Sequence, residues 1–74
     1  MQSSIVQSIM FHRGVFTIDQ ARHWLIRHKF KANKLDITKN YYRFRQHEPS
    51  KRYHYRVKKV SPGILFVFAF PNID

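Results

Sequence analysis

Tyr41-Tyr42-Arg43-Phe44-Arg45-Gln46 and Tyr53-His54-Tyr55-Arg56-Val57-Lys58-Lys59 are the two stretches on which the fold turns. Each alternates aromatic or aliphatic residues with cations, the period-two signature of a half-buried strand. His47-Glu48-Pro49-Ser50-Lys51, between them, has the composition of a turn. Joined through it, strands at residues 37–46 and 52–60 predict a hairpin. A loop over residues 48–51 sets His47 opposite Arg52, Arg45 opposite His54 and Arg43 opposite Arg56. Phe44 then faces Tyr55 and Tyr42 faces Val57, so the apolar set keeps to one side. The other side collects Arg43, Arg45, His47, Arg52, His54, Arg56 and Lys58. Like charges packed across strands cost stability. A sheet with such a face needs an anionic partner or open solvent.

Downstream, Ser61-Pro62-Gly63 predicts a turn with Pro and Gly at the central positions of a type II geometry. Residues 64–70 form a last strand that is apolar on both faces. Ile64, Phe66, Phe68 and Phe70 point one way, and Leu65, Val67 and Ala69 the other. Such a strand is central or packs against another molecule. Pro71 ends it.

Upstream, residues 5–11 predict a first strand. Ile5, Gln7, Ile9 and Phe11 share one face; Val6, Ser8 and Met10 share the other. His12-Arg13-Gly14 breaks the run. Thr17 is a helix N-cap, Gln20 completes a capping box, and Asp19 sits where the helix dipole favours a carboxylate. Ile18, Ala21, Leu25 and His28 fall on one helix face with Trp24 beside them, which predicts His28 stacked on Trp24. The helix should end near Lys29 or Phe30, with Asn33 as the residue for a left-handed conformation. The order β-α-β-β-β predicts an α+β fold: one helix packed on a mostly antiparallel four-stranded sheet, in two layers. One helix cannot cover both sheet faces, so a homo-oligomer or a partner protein is expected on the uncovered side.

Residues 1–74 are read as a single small basic domain, short enough for marginal stability. There are no cysteines, hence no disulfide and no thiolate metal site. Hydrophobic residues make up 43% and aromatics 16%, which favours a folded domain over a basic tail. Fourteen Lys and Arg stand against Asp19, Asp36, Glu48 and Asp74, a formal net charge of +10. Cations that cluster on such a chain point to a polyanion. Residues 22–34 alone carry Arg22, Arg27, Lys29, Lys31 and Lys34 with no acid. Met1-Gln2-Ser3-Ser4 has no cationic start, and the apolar run at 64–70 is too short for a bilayer-crossing helix, so no targeting segment and no membrane partner are expected.

Catalysis finds little footing. Asp19 belongs to a helix start, Glu48 to a turn, Asp74 to the chain end, and Asp36 sits near Lys34 and Lys39 as a local charge partner. No paired carboxylates, nucleophile arrangement or Gly-rich phosphate loop stands out. The chain is therefore read as a non-enzyme with no cofactor. His23 and His28 point in different directions on a helix. His47 and His54 lie among arginines that repel a cation, so no metal site is expected. The aromatics lie on the face that the core needs. Tyr41, alternating with Arg43 and Arg45, is the one stacking candidate, which favours duplex DNA held through phosphates over base reading on single strands.

Phe16-Thr17, Ala21, Trp24-Leu25, His28, Phe30-Lys31, Tyr42-Arg43-Phe44-Arg45-Gln46, Pro49 and Gly63-Ile64 together form a recognisable pattern. It resembles a small uncharacterised domain of tailed bacteriophages that accompanies head or prohead-protease genes, with similar short proteins in large double-stranded DNA viruses of eukaryotes. The resemblance spans residues 5–65, and Tyr-Arg-Phe-Arg-Gln-x-x-Pro is its most specific part. It implies a viral origin and a virion or packaging role, and it supplies no catalytic residues. Two positions depart from it. The phage sequences tend to have Gly where this chain has Lys29, and tend to be acidic where it has Ser50-Lys51-Arg52.

The expected function is that of a viral basic protein that binds nucleic acid through phosphates, without sequence preference, in a virion core or in DNA packaging. Its contacts would be Arg43, Arg45, Arg52, Arg56, Lys58 and Tyr41, helped by Arg22, Arg27 and Lys29. It would act in the virion, and in host cytoplasm or nucleus during assembly. The rival expectation is a structural capsid component or protein-interaction module that docks on viral structural proteins. A host-directed inhibitor that blocks a nucleic-acid-binding surface is a third.

Overall fold

A computed structural model describes residues 4–72. Met1 to Ser3, read above for targeting, and Asp74, read as a chain-end acid, lie outside the described residues. The elements are β1 (Ile5–His12), α1 (Ile18–Arg27), β2 (Leu35–Ile37), β3 (Tyr41–Arg45), β4 (Tyr53–Ser61) and β5 (Ile64–Pro71). All strand pairs are antiparallel, and the five form one sheet in the order β2-β3-β1-β5-β4. The fold is α+β, as expected, but the sheet has five strands instead of four. Thr38 makes the difference. Its hydroxyl donates to the Tyr41 carbonyl and accepts from the Tyr41 amide, both at 3.0 Å. This Ser/Thr-type turn shortens the strand predicted at 37–46 to β3 and folds the residues before it back as an additional strand, β2.

The predicted hairpin of β3 with β4 does not form. β3 pairs with β1 and β2, while β4 pairs only with β5. Two strands stand between them, so they lie roughly 14 Å apart. Arg43 therefore does not face Arg56, and Phe44 faces Ile9 and Leu35 instead of Tyr55. The cause is physical on both counts. β5 is apolar on both faces, and β1 carries Ile5, Val6, Ile9, Met10 and Phe11 with Gln7 and Ser8 buried among them, so both gain most from the middle of the sheet. Placing them there also takes the cations of β3 away from those of β4. The connection over residues 46–52 crosses the end of the sheet. The Gln46 and His47 amides both donate to the Gln7 carbonyl, at 2.7 and 3.2 Å.

Gln7 also marks a β-bulge, where the pairing with β5 shifts between Val6 and Ser8. The extra residue swaps the faces of the strand start. Val6 joins Ile9 and Phe11 on the helix side, and Ile5 moves to the other, the reverse of the simple alternation.

The helix starts as its sequence predicts. Thr17 Oγ1 accepts from the Gln20 amide at 3.1 Å, and Gln20 Oε1 accepts from the Thr17 amide at 2.9 Å. Its end differs. Lys29, not Asn33, takes the left-handed conformation, with φ of 64°. Ala21 and Leu25 pack on Ile9, Phe11, Phe44 and Ile64, with Phe16, Trp24, Phe30, Leu35, Tyr42 and Phe66 around this core. Phe11 is its hub, meeting Phe16, Trp24 and Phe44 edge-on at 5.2 to 5.8 Å. Such geometry adds to plain area burial. Gln46 ties the segment after the helix to the end of β3: its side-chain amide donates to the Lys31 carbonyl and accepts from the Lys31 amide, both at 2.8 Å. At the β4–β5 turn Gly63 has φ of 79°, which fits the type II geometry predicted there.

Candidate nucleic-acid interface

β4 is an edge strand. One side pairs with β5 and the other presents unpaired backbone groups. Residues 51–59 carry Lys51, Arg52, Arg56, Lys58 and Lys59 with no acid, and all five are exposed. The register fixes which faces they share. His54, Arg56 and Lys58 stand opposite Phe70, Phe68 and Phe66, on the helix side of the sheet. Tyr53, Tyr55, Val57 and Lys59 stand opposite Pro71, Ala69, Val67 and Leu65, on the other side.

On the helix side, a row of cations thus runs beside a row of half-buried rings. Phe66 meets Trp24 and Phe30 edge-on at 6.1 and 5.8 Å, which anchors one end of the row to the core. Phe68 follows at 5.8 Å from Phe66. Phe70 stacks on the His54 ring at 5.5 Å and 18°. Asn72 holds that end: its Oδ1 lies 3.0 Å from His54 Nδ1, and its Nδ2 donates to the Lys51 carbonyl at 3.1 Å. Trp24 also stacks on His28 at 3.8 Å, as its sequence spacing predicts.

The residues expected to bind together fall into two sets. Arg52, Arg56 and Lys58 share the β4 edge. Arg43, Arg45 and Tyr41 lie on β3, two strands away and on the opposite sheet face from Arg56 and Lys58. They are also occupied. Arg43 Nε donates to Ser8 Oγ at 3.2 Å and its Nη2 to Gln7 Oε1 at 3.0 Å. Tyr41 packs edge-on against His12 at 5.3 Å. Arg45 bonds Glu48 at 3.2 Å, and its Nε sits 3.7 Å from Asp36. Lys34 closes this cluster on Glu48 at 3.1 Å. Hydrogen bonding from Lys34, then the charges of Lys34 and Arg45, hold the Glu48 carboxyl below its ordinary value. Among the described residues, ion pairs form only within this cluster. No described acid pairs with the β4 cations.

The helix residues divide likewise. Arg22 Nε donates to the Ala32 carbonyl at 3.3 Å, on the flank away from Trp24. Arg27 lines a shallow depression of about 320 Å³ with Phe16, His23 and Trp24, on the flank nearer β5. Lys29 is exposed at the helix end. Arg13, outside both strands, is bound to the β2–β3 turn: Nη1 donates to the Thr38 and Lys39 carbonyls at 2.8 and 3.2 Å. Its guanidinium also lies over the Tyr42 ring.

Sequence reasoning missed Lys51 and Lys59 along the β4 edge, and the Phe68–Phe70 pair beside Arg56 on its helix side. It assigned the last phenylalanines wholly to the core, yet of the three only Phe66 packs against the core cluster. The usable signal was the matching period of two, cation on β4 and phenylalanine on β5, across the Pro62-Gly63 turn. The described residues contain no group of His, Cys, Asp or Glu able to hold a metal ion. They contain no helix long and apolar enough to cross a membrane. Comparison with protein-family models, curated proteins and solved structures gives no match to this chain.

Proposed function

We propose that this chain is a viral basic protein that binds nucleic acid through its phosphates, without reading sequence, in a virion core or in DNA packaging. One observation supports the binding above all: Lys51, Arg52, Arg56, Lys58 and Lys59 lie along one open sheet edge with no described acid paired to them. Charges on an edge strand also keep it from pairing with other chains. Interspersed charges suffice for that, whereas a row of one sign repels itself until a polyanion relieves it. The viral setting rests on the resemblance carried by the Tyr42-Arg43-Phe44-Arg45-Gln46 stretch. It supports a location in the virion, and in host cytoplasm or nucleus during assembly. No catalytic step or cofactor is part of the proposal.

Retardation of DNA of arbitrary sequence over a range of salt tests it. About five phosphate contacts give a slope of log K against log salt of about −4.5 on duplex and about −3.5 on a single strand. Arg56→Ala should flatten the slope by about one unit and weaken all sequences alike. Arg45→Ala should flatten it less, because Glu48 and Asp36 already neutralise Arg45. If Arg56→Ala and Lys58→Ala together leave a folded protein with parental affinity, β4 is not the interface.

A second reading, a capsid component or protein-interaction module, draws on the sheet face opposite the helix. There Val57 is 61% and Tyr55 39% exposed, on the same face as Met10 and Leu65. Self-association or docking on a viral structural protein would cover them. The pressure for a partner is less than the sequence suggests, since Val67 and Ala69 on that face are already buried within the single chain. Salt-resistant dimers in sedimentation, with no DNA retardation, would favour this reading.

A further inference from the structure

We infer that the nucleic acid bound along β4 is single-stranded, and that Phe68, Phe70 and His54 stack on its bases while Arg56 and Lys58 hold its phosphates. This rests on the phosphate-binding reading above and adds the class of ligand. Phe66, Phe68 and Phe70 project from one face of β5 at every second residue, about 7 Å apart along the backbone, with the Phe66 and Phe68 ring centres 5.8 Å apart. Bases stacked within a duplex strand repeat every 3.4 Å or so and hide their faces from one another. A ring row spaced well beyond that repeat can be followed only by bases that have come apart. Such recognition, with rings under the bases and cations along the backbone, tolerates any sequence because every base has a flat face.

The cations stand where the backbone would run. Lys58 and Arg56 lie opposite Phe66 and Phe68 in the sheet register, with the His54 ring opposite Phe70, so the two rows are parallel and one strand spacing, about 4.8 Å, apart. The rings are held ready. His54 and Phe70 are already stacked, and Asn72 fixes the His54 ring from its edge. Phe66 is committed to Trp24 and Phe30, which leaves Phe68 and the outer faces of the Phe70–His54 stack to meet bases. The surface also argues against a second copy of this chain as its occupant. Two such hairpins face to face would oppose Arg56 and Lys58 with the same cations.

The experiment compares a short thymidine oligonucleotide with a duplex of equal length, by fluorescence anisotropy at several salt concentrations. Phe68→Leu and Phe70→Leu keep the apolar volume and remove the ring face. Each should weaken binding of the thymidine oligonucleotide by roughly 5-fold or more. Duplex affinity and the salt slope should stay as in the parent, because no phosphate contact changes. Ring-proton shifts of Phe68, Phe70 and His54 on addition of the thymidine oligonucleotide to the parent protein give a readout that needs no variant. Parental affinity for that oligonucleotide in both folded variants, or unshifted ring protons in the complex, would overturn the stacking. If Arg56→Ala weakens both ligands in that case, phosphate binding survives alone. If neither oligonucleotide binds even at low salt, the phosphate reading itself fails.

Discussion

Replacing Lys29 by Gly should stabilise the protein. Lys29 lies just past the last turn of α1, with φ of 64°. Its amide donates to the Ile26 carbonyl at 3.1 Å, and the Phe30 amide reaches back to Leu25 at 2.8 Å. These two bonds are the Schellman pattern. The apolar contact that accompanies it is also present: the Phe30 and Trp24 rings lie stacked, 6.2 Å apart. The helix end is therefore well made except for the residue at its left-handed position. A side chain there costs about 1–2 kcal/mol relative to glycine. Glycine gives back about 0.5–1 kcal/mol through the larger freedom of its unfolded chain. The balance is a gain of about 0.5–1 kcal/mol. For a domain of this length it corresponds to a rise in melting temperature of about 2–8 °C. Thermal unfolding followed by far-UV circular dichroism measures it. Lys29→Ala serves as control, since alanine removes the same charge but keeps the strain. A melting temperature for Lys29→Gly equal to or below that of Lys29→Ala would show that the position is not strained and the reasoning fails. The same variant probes the interface, because Lys29 was a candidate phosphate contact by sequence. As a residue of the helix end and not of β4, it should leave the salt slope of DNA binding unchanged.

Thr17→Ala should cost about 1 kcal/mol by removing the N-cap. A melting curve identical to the parent's would show that the capping pair with Gln20 contributes nothing. Glu48 should make stability depend on acid. Its carboxyl is held below the ordinary 4.5 in the folded protein, so it contributes stability above that pH, and the contribution disappears as pH falls through the folded value. The stability difference between the parent and Glu48→Gln should therefore be largest near neutrality, shrink below pH 4.5, and be reduced by added salt. A difference that is flat across this range would remove Lys34 and Arg45 as its cause.

Features fixed by near neighbours could be read from the sequence, and those fixed by distant ones could not. The Thr17–Gln20 cap, the His28–Trp24 stack and the Pro62-Gly63 turn each involve residues within four positions, and all three are present. The centrality of β5 was legible from its two apolar faces. Which strands would flank it was not. The alternation in Tyr42-Arg43-Phe44-Arg45 suits pairing with β4 as well as with β1, and only the competition of all five strands for the middle decides. The Gln7 bulge was equally hidden, since its carbonyl is called upon by Gln46 and His47 from across the sheet. Among the proposed contacts, Arg56 and Lys58 lie on β4 and Arg52 just before it, within the stretch 52–60 where the sequence expects a strand. Arg43 and Arg45 lie two strands away, where Gln7, Ser8 and Asp36 become their neighbours only through the fold; Glu48, three residues from Arg45, was within reach of the sequence.

The pairing of β1 with β5 sets the order in which the sheet can be completed. Ile5 meets Ala69 and Phe11 meets Ile64, so the middle of the sheet joins segments more than fifty residues apart in the chain. The β2–β3 and β4–β5 ribbons close over short turns and can form early. The seam between them must wait until β5 has left the ribosome. Until then β1 keeps a bare apolar flank, the kind of surface that leads to association between unfinished chains. Closure of that seam, with its long loop to pay for, is the expected slow step of folding. Substitutions along it, at Ile9 or Phe66, should slow folding more than equally costly changes within either ribbon.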